Sequence, residues 1–175
     1  MNFSIDKSIE ILERTPSVLS TMLLSISTDW TSKNEGEDTW SPYDVVGHLI
    51  QGELTDWIPR AEIIISDQTD KRFRPFDRFA QFENSKGKSM EELLLQFKEV
   101  REANIKKLRS LVNSDTDFQQ KGIHPAFGEV TLSQLLSTWV VHDLNHINQI
   151  TRVMARQYKE AVGPWVEYLG ILKRS

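Results

Sequence analysis

Thr131 to Tyr158 reads TLSQLLSTWVVHDLNHINQITRVMARQY. It opens with a Thr-x-x-Gln capping box, in which Thr131 accepts from first-turn amides and Gln134 reaches back to the cap. Leu132, Leu135, Leu136, Trp139, Ile147, Ile150, Val153 and Met154 recur at helical spacing, and neither Pro nor Gly interrupts them. The spacing predicts one helix of about seven to eight turns at 3.6 residues per turn. His142 and His146 lie within it, four residues apart, so their Cβ atoms share a face about 5–6 Å apart and both rings can converge on one divalent ion. Two ligands are too few for a metal site of three or four, and an isolated His-x-x-x-His favours an incidental pair on a half-polar helix. The supply of partners favours the site: the chain has four histidines, and one of the other two, His48, falls inside another predicted helix.

Outward from this stretch, helical patterns dominate. Ile5, Ile9 and Leu12 mark a first segment to about Glu13. Thr15 reads as the N-cap of a second, with Pro16 in its first turn and Val18, Leu19, Met22, Leu23 and Ile26 continuing the stripe to about Ser27. Ser41-Pro42 announces the next helix, with Asp44 placing negative charge near its N-terminus. Val45, Val46, Leu49 and Ile50 form its buried stripe, with His48 beside them. Gln51 and Thr55 share the face of His48, Gly52 offers close access to it, and Glu53 points about 140° away at 100° per residue. Pro59 is expected to bend this helix in mid-course before Ile63, Ile64 and Ile65 resume.

Residues 67–88 form a long connection between the second and third principal helices, with Phe73, Phe76, Phe79 and Phe82 recurring every third residue. Loops this long in compact domains are functional or disordered, and four aromatic rings argue for order. They fit either a flap over the bundle or plugs for the end of its core. A capping box at Ser89 and Glu92 starts the third helix, which runs to about Val112. In the following segment, Pro125 disfavours a helical His124, which reads as a residue at the mouth of a site or as plain surface. No segment reads as a strand. Gly163-Pro164 ends the last long helix, and Trp165, Tyr168, Leu169 and Ile171 suggest a short packing helix. Four principal helices of about 20–28 residues make an all-α four-helix bundle the economical architecture, and such bundles host metals on facing helices.

Composition narrows the function. A chain of 175 residues, 39% hydrophobic and 26% charged, is expected to form one soluble domain over 1–175. The net charge of −4, without a basic stripe, argues against nucleic acid. Cysteine is absent, which removes disulfides, thiolate zinc sites and a Cys nucleophile, and accords with a reducing cytosol. The N-terminus MNFSIDKSIE lacks a signal peptide's basic and apolar regions, and no run approaches the ~18–20 apolar residues of a membrane span. A cytoplasmic location is the expectation.

Several motifs, taken together, resemble the DinB/YfiT-like superfamily of metal-dependent enzymes. They are Thr15-Pro-x-x-Leu19, Trp40-Ser-Pro-Tyr-Asp-Val-Val-Gly-His48-Leu, and His124-Pro-Ala-Phe-Gly-Glu-Val-Thr-Leu. Trp139-Val-Val-His142-Asp-Leu-Asn-His146-Ile-Asn-Gln-Ile and Gly163-Pro164-Trp165 complete the set, which in this order spans nearly the whole chain. The resemblance implies a four-helix bundle of less usual up-and-down hand, forming a homodimer. It also implies a divalent metal on His48, His142 and His146, with zinc or nickel foremost and iron or manganese as alternatives. Activities among such relatives include transfer or isomerisation with a low-molecular-weight thiol such as bacillithiol, mycothiol or glutathione, while the name metal-dependent hydrolase rests on the site alone.

Three neutral imidazoles leave an open coordination position, the arrangement of a catalytic metal. A water there is acidified for hydrolysis; alternatively a substrate thiol binds as thiolate, supplying the sulfur that the chain lacks. The resemblance inclines the reading toward thiol-dependent S-transfer on a small-molecule substrate. Gln51, Thr55, Asn145 and Gln149 are candidates to orient water or substrate, and Asp143 to hold a ligand imidazole in its tautomer. Two other classes stand beside the enzyme: a non-catalytic metal-binding stress-response bundle, and a helical scaffold in which all three histidines are incidental.

Overall fold

A computed structural model describes residues 2–173. The single domain expected over 1–175 takes in Met1, Arg174 and Ser175, which lie outside the described residues. The elements in order are α1 (Ile5–Leu12), α2 (Thr15–Leu23), α3 (Thr28–Ser32), α4 (Pro42–Thr55), α5 (Trp57–Ile65), α6 (Ala80–Ser85), α7 (Met90–Leu111), β1 (Lys121–His124), β2 (Gly128–Thr131), α8 (Leu132–Arg156), a 3-10 helix (Gly163–Tyr168) and α9 (Gly170–Lys173). The chain is an all-α four-helix bundle whose limbs are α1–α2, α4–α5, α7 and α8. Within it, α4 packs on α7 and α8, α1 on α8, and α2 on α7.

Three of the limbs start where the sequence marks them. Ser41 with Asp44, Ser89 with Glu92, and Thr131 with Gln134 each form a complete reciprocal capping box. Elsewhere local chemistry moves the boundaries. Arg14 rather than Thr15 holds the N-cap position of α2, and the Thr15 hydroxyl turns back to donate to Ile11 O at 3.2 Å. That stripe stops at Leu23, and Ser25 takes a left-handed φ of 59° before the short α3. The expected bend at Pro59 falls three residues earlier, at Asp56. Pro59 lacks an N–H and its ring crowds the carbonyl one turn back. The helix therefore breaks ahead of it, and Pro59 lies in the first turn of α5, where the missing donor does no harm.

The absence of strands is also corrected. β1 and β2 pair antiparallel, with Lys121 opposite Thr131 and His124 opposite Gly128. Gly128 has φ +71°, and His124 Nδ1 accepts from the amides of Ala126 (3.1 Å) and Phe127 (3.3 Å), so the ring closes the hairpin turn. The strands KGIH and GEVT carry no apolar–polar alternation that would mark them in the sequence. Gly122 is required by packing: a Cβ there would collide with the Phe73 ring and with Ile64. Phe73 is thus a core plug, 5% exposed.

The core has two parts. Leu12, Trp57, Ile58, Ile64, Phe73, Ile105, Leu136 and Trp139 form one; Leu19, Leu23, Val45, Leu49, Phe97 and Ile150 belong to the other. Between them runs a buried polar network. Arg101 of α7 donates through Nη1 to Leu12 O (2.8 Å) and Asp143 Oδ2 (2.6 Å), and through Nη2 to Glu53 Oε1 (2.8 Å) and Asp143 Oδ1 (2.9 Å). Trp139 Nε1 and Asn104 Nδ2 also donate to Glu53, at 2.8 and 2.9 Å. Burial opposes the charge on Arg101, yet Glu53 and Asp143 hold its pKa above the ordinary value. One guanidinium therefore joins all four limbs.

Removing one partner from such a cluster leaves uncompensated buried charge, at a cost of about 3–5 kcal/mol. Arg101→Leu is expected to lower unfolding free energy in urea by that amount. Adding Glu53→Gln and Asp143→Asn should return part of it, because the stranded charges are gone. A single substitution costing under about 1 kcal/mol would contradict the assignment.

Candidate metal centre

His48 projects from the middle of α4, and His142 and His146 lie one turn apart on α8. Their Nε2 atoms face each other: His48 to His142 is 3.1 Å, and His142 to His146 is 3.1 Å. The three ligating atoms all lie within 4.8 Å of one another. Nitrogens ~2.0–2.1 Å from one ion in a tetrahedral arrangement stand about 3.3 Å apart, so the spacing fits a shared divalent ion. His48 and His146 are each 7% exposed.

Aromatic rings wall the cluster. Trp40 lies 4.8 Å from His48, Phe76 meets His48 edge-on at 5.5 Å, and Trp57 meets His142 edge-on at 5.0 Å. Burial among these rings disfavours the imidazolium, and the histidines disfavour each other's charge. Burial and His146 push His48 down to about 4, with partial relief from the neighbouring Gln81 amide. Burial, His146, His48 and Arg101 push His142 down to about 2. Burial also lowers His146, against the opposing effects of Gln149 and Asp143. All three are neutral near pH 7 with lone pairs available, the protonation state that a metal requires.

The other sequence candidates divide. Gln149 Oε1 lies 2.8 Å from His146 Nδ1, an outer partner that leaves Nε2 free to face the cluster. Gln51 and Thr55 line a cleft of ≈ 690 Å³ together with Arg74 and Phe76, the ring that touches His48. Asn145 is on another side, in a shallow hollow with Ser137, Thr138, Val141 and His142. The tautomer role foreseen for Asp143 does not appear, because both its oxygens accept from Arg101. Gly52 does not open a path to His48's face: the Trp57 indole covers it, 3.2 Å from where a Cβ would stand. His124 belongs to the hairpin and stacks on Phe127 at 4.5 Å.

Sequence reasoning passed over Glu53 and Arg101 as members of a network. A signal was present, since Arg101 stands one turn from both Phe97 and Ile105 in the apolar stripe of its helix. Phe76 and Trp57, the walls of the site, carried no sequence signal that separates them from core rings.

Fold and site define a four-helix bundle carrying three clustered imidazoles on two facing limbs. The chain belongs to the DinB superfamily, whose model matches residues 11–150. Among solved structures it is similar to YfiT from Bacillus subtilis, described as "a probable metal-dependent hydrolase with an unusual four-helix bundle topology". That likeness has a TM-score of 0.75 and 24% identity, covering 89% of this chain and 90% of that one. It is also similar to TT2238, a four-helix bundle protein, with TM-score 0.57 and 20% identity over 85% and 98% of the two chains. Identities this low carry the fold alone. Comparison with curated proteins finds no match. Among the described residues no helix is long and apolar enough to cross a membrane.

The lowered pKa values fix a sign. Above pH about 6.5 folded and unfolded histidines are both neutral. As pH falls below that, the unfolded chain takes up protons that the folded cluster refuses, so stability drops toward pH 4. Asp56, raised to about 6 by burial, acts in the opposite sense over part of this range. His142→Gln in metal-free protein isolates the histidine term. It should flatten the fall of urea stability by up to about 1.4 kcal/mol per pH unit. An unchanged slope would contradict a neutral, desolvated His142.

Proposed function

We propose that the protein is a metal-dependent enzyme acting on a small molecule, with His48, His142 and His146 holding one divalent ion, zinc or nickel foremost. The observation that carries this reading is the meeting of three neutral Nε2 atoms at 3.1 Å spacings on two different limbs. Incidental histidines gain nothing from converging acceptor atoms in an apolar enclosure, where unpaired polar groups are costly. A divalent ion in such a site supplies Lewis acidity, which keeps a bound thiol or water deprotonated near neutral pH.

The reaction proposed is S-transfer: a low-molecular-weight thiol of the bacillithiol type attacks an electrophilic substrate. A sulfur–carbon bond forms, the leaving group departs with the electron pair of its own bond, and the thiol proton goes to solvent. The chain has no cysteine, so the sulfur arrives with a cosubstrate. The three histidines bind and Gln149 orients His146. Gln51 and Thr55 line the cleft beside Phe76 and are placed to position a substrate there. Aromatic rings pack against His48 and His142 and shield them in part from water. We place this activity in a homodimer in the cytoplasm. The description of YfiT as a probable metal-dependent hydrolase supports a second reading, in which water takes the place of the thiol.

Metal-loaded protein is expected to conjugate monochlorobimane only when a thiol is added, saturating with thiol and falling to background in His48→Ala. A panel of bacillithiol, glutathione, mycothiol and coenzyme A identifies the cosubstrate. Thiol-independent turnover of an ester or amide, lost in the same variant, would overturn S-transfer in favour of hydrolysis.

A further inference from the structure

Gln81 is one of the most deeply buried polar residues of the chain, 1% exposed, and neither its amide oxygen nor its amide nitrogen has a hydrogen-bond partner. Buried amides are paired in native proteins, so an orphaned one needs a reason. Its neighbour is His48, toward which its amide acts as an acceptor would; His48 Nδ1 is likewise buried without a formed bond, while Nε2 faces His142 at 3.1 Å. Gln81 lies on α6, in the connection between the second and third limbs, and α6 is fastened to α4 around His48 on three sides. Gly47 brings the two helices close, since a Cβ there would meet Ser85 Oγ and stand 3.9 Å from Gln81 Cβ. The Tyr43 hydroxyl lies 2.5 Å from Ser85 O and 2.9 Å from Lys88 O. Asn84 Nδ2 donates to Gln51 Oε1 at 2.9 Å, one turn beyond His48.

We infer that Gln81 is a positioning residue for His48: its amide oxygen accepts from Nδ1–H and fixes the tautomer with the lone pair on Nε2, toward the cluster. The inference rests on the metal reading given above. It parallels the arrangement at His146, whose Nδ1 meets the Gln149 amide oxygen at 2.8 Å. Both partners are neutral, so the imidazoles are oriented without adding charge to a desolvated site. The clamp on α6 then has a purpose beyond packing, since it holds this acceptor against the one ligand contributed by α4.

The test is made first on metal-free protein, by long-range proton–nitrogen correlation NMR of the histidine rings near neutral pH. His48 in the wild type should be the Nδ1–H tautomer. Gln81→Leu should remove that preference, and Gln81→Glu, which keeps an acceptor at the same reach, should preserve it. Zinc titrations should then show 10–100-fold weaker binding for Gln81→Leu, the usual loss on removing an outer partner, and binding close to wild type for Gln81→Glu. An unchanged His48 tautomer in Gln81→Leu would overturn the inference. So would equal losses of zinc affinity in the two variants, which would mark a packing role. If the wild type binds no zinc, the metal reading falls, and the tautomer comparison by itself decides the role of Gln81.

Discussion

The structure depends on one guanidinium. Arg101 lies fully inside the bundle and touches the carbonyl end of α1, Glu53 of α4 and Asp143 of α8 from its own place on α7. On each of α4, α7 and α8 the network residue falls on the turn between the two apolar clusters. The clusters alone do not set how far one helix slides along its neighbour, because apolar packing tolerates alternative registers better than hydrogen-bonded charge does. A bidentate Arg–carboxylate pair is directional. Once Asp143 and Glu53 both close on Arg101, the heights of α8 and α4 are fixed relative to each other.

The site follows from that register. Asp143 is next to His142 in sequence, and Glu53 lies just over one turn from His48. Fixing the two carboxylates brings the imidazoles of α4 and α8 to the same level of the bundle. The Trp139 indole completes the connection, donating to Glu53 while stacking at 5.9 Å on Trp57, which in turn borders His142. Charge and apolar enclosure then act on opposite sides of one helix turn. The network keeps its ions paired, and the aromatic side keeps the histidines neutral.

Much of this was legible in the sequence, for definite reasons. Capping boxes are local, so the starts of α4, α7 and α8 could be read directly. Uninterrupted 3.6-residue periodicity marks α7 and α8, and the apolar stripe resumes across the breaks of the other two limbs. The His-x-x-x-His pair is a within-helix relation and was visible; the approach of His48 is a relation between helices, suggested by the small supply of histidines and assigned through the family resemblance. Asp56 rather than Pro59 marks the break in the second limb because proline exerts its effect on the preceding turn. The hairpin at 121–131 escaped because its strands do not alternate apolar and polar residues and its turn is closed by a histidine ring. Asp143 was noticed for its place beside a histidine, but its actual partner lies 42 residues away, a separation that no local pattern reports.

The central claim is that the register set by Arg101 delivers three imidazoles to one divalent ion. X-ray absorption at the metal edge of zinc-loaded protein tests it most directly. The account predicts a first shell containing three imidazole nitrogens at about 2.0–2.1 Å, reduced to two by His48→Ala. An oxygen-only shell, or a spectrum unchanged by that substitution, would contradict it.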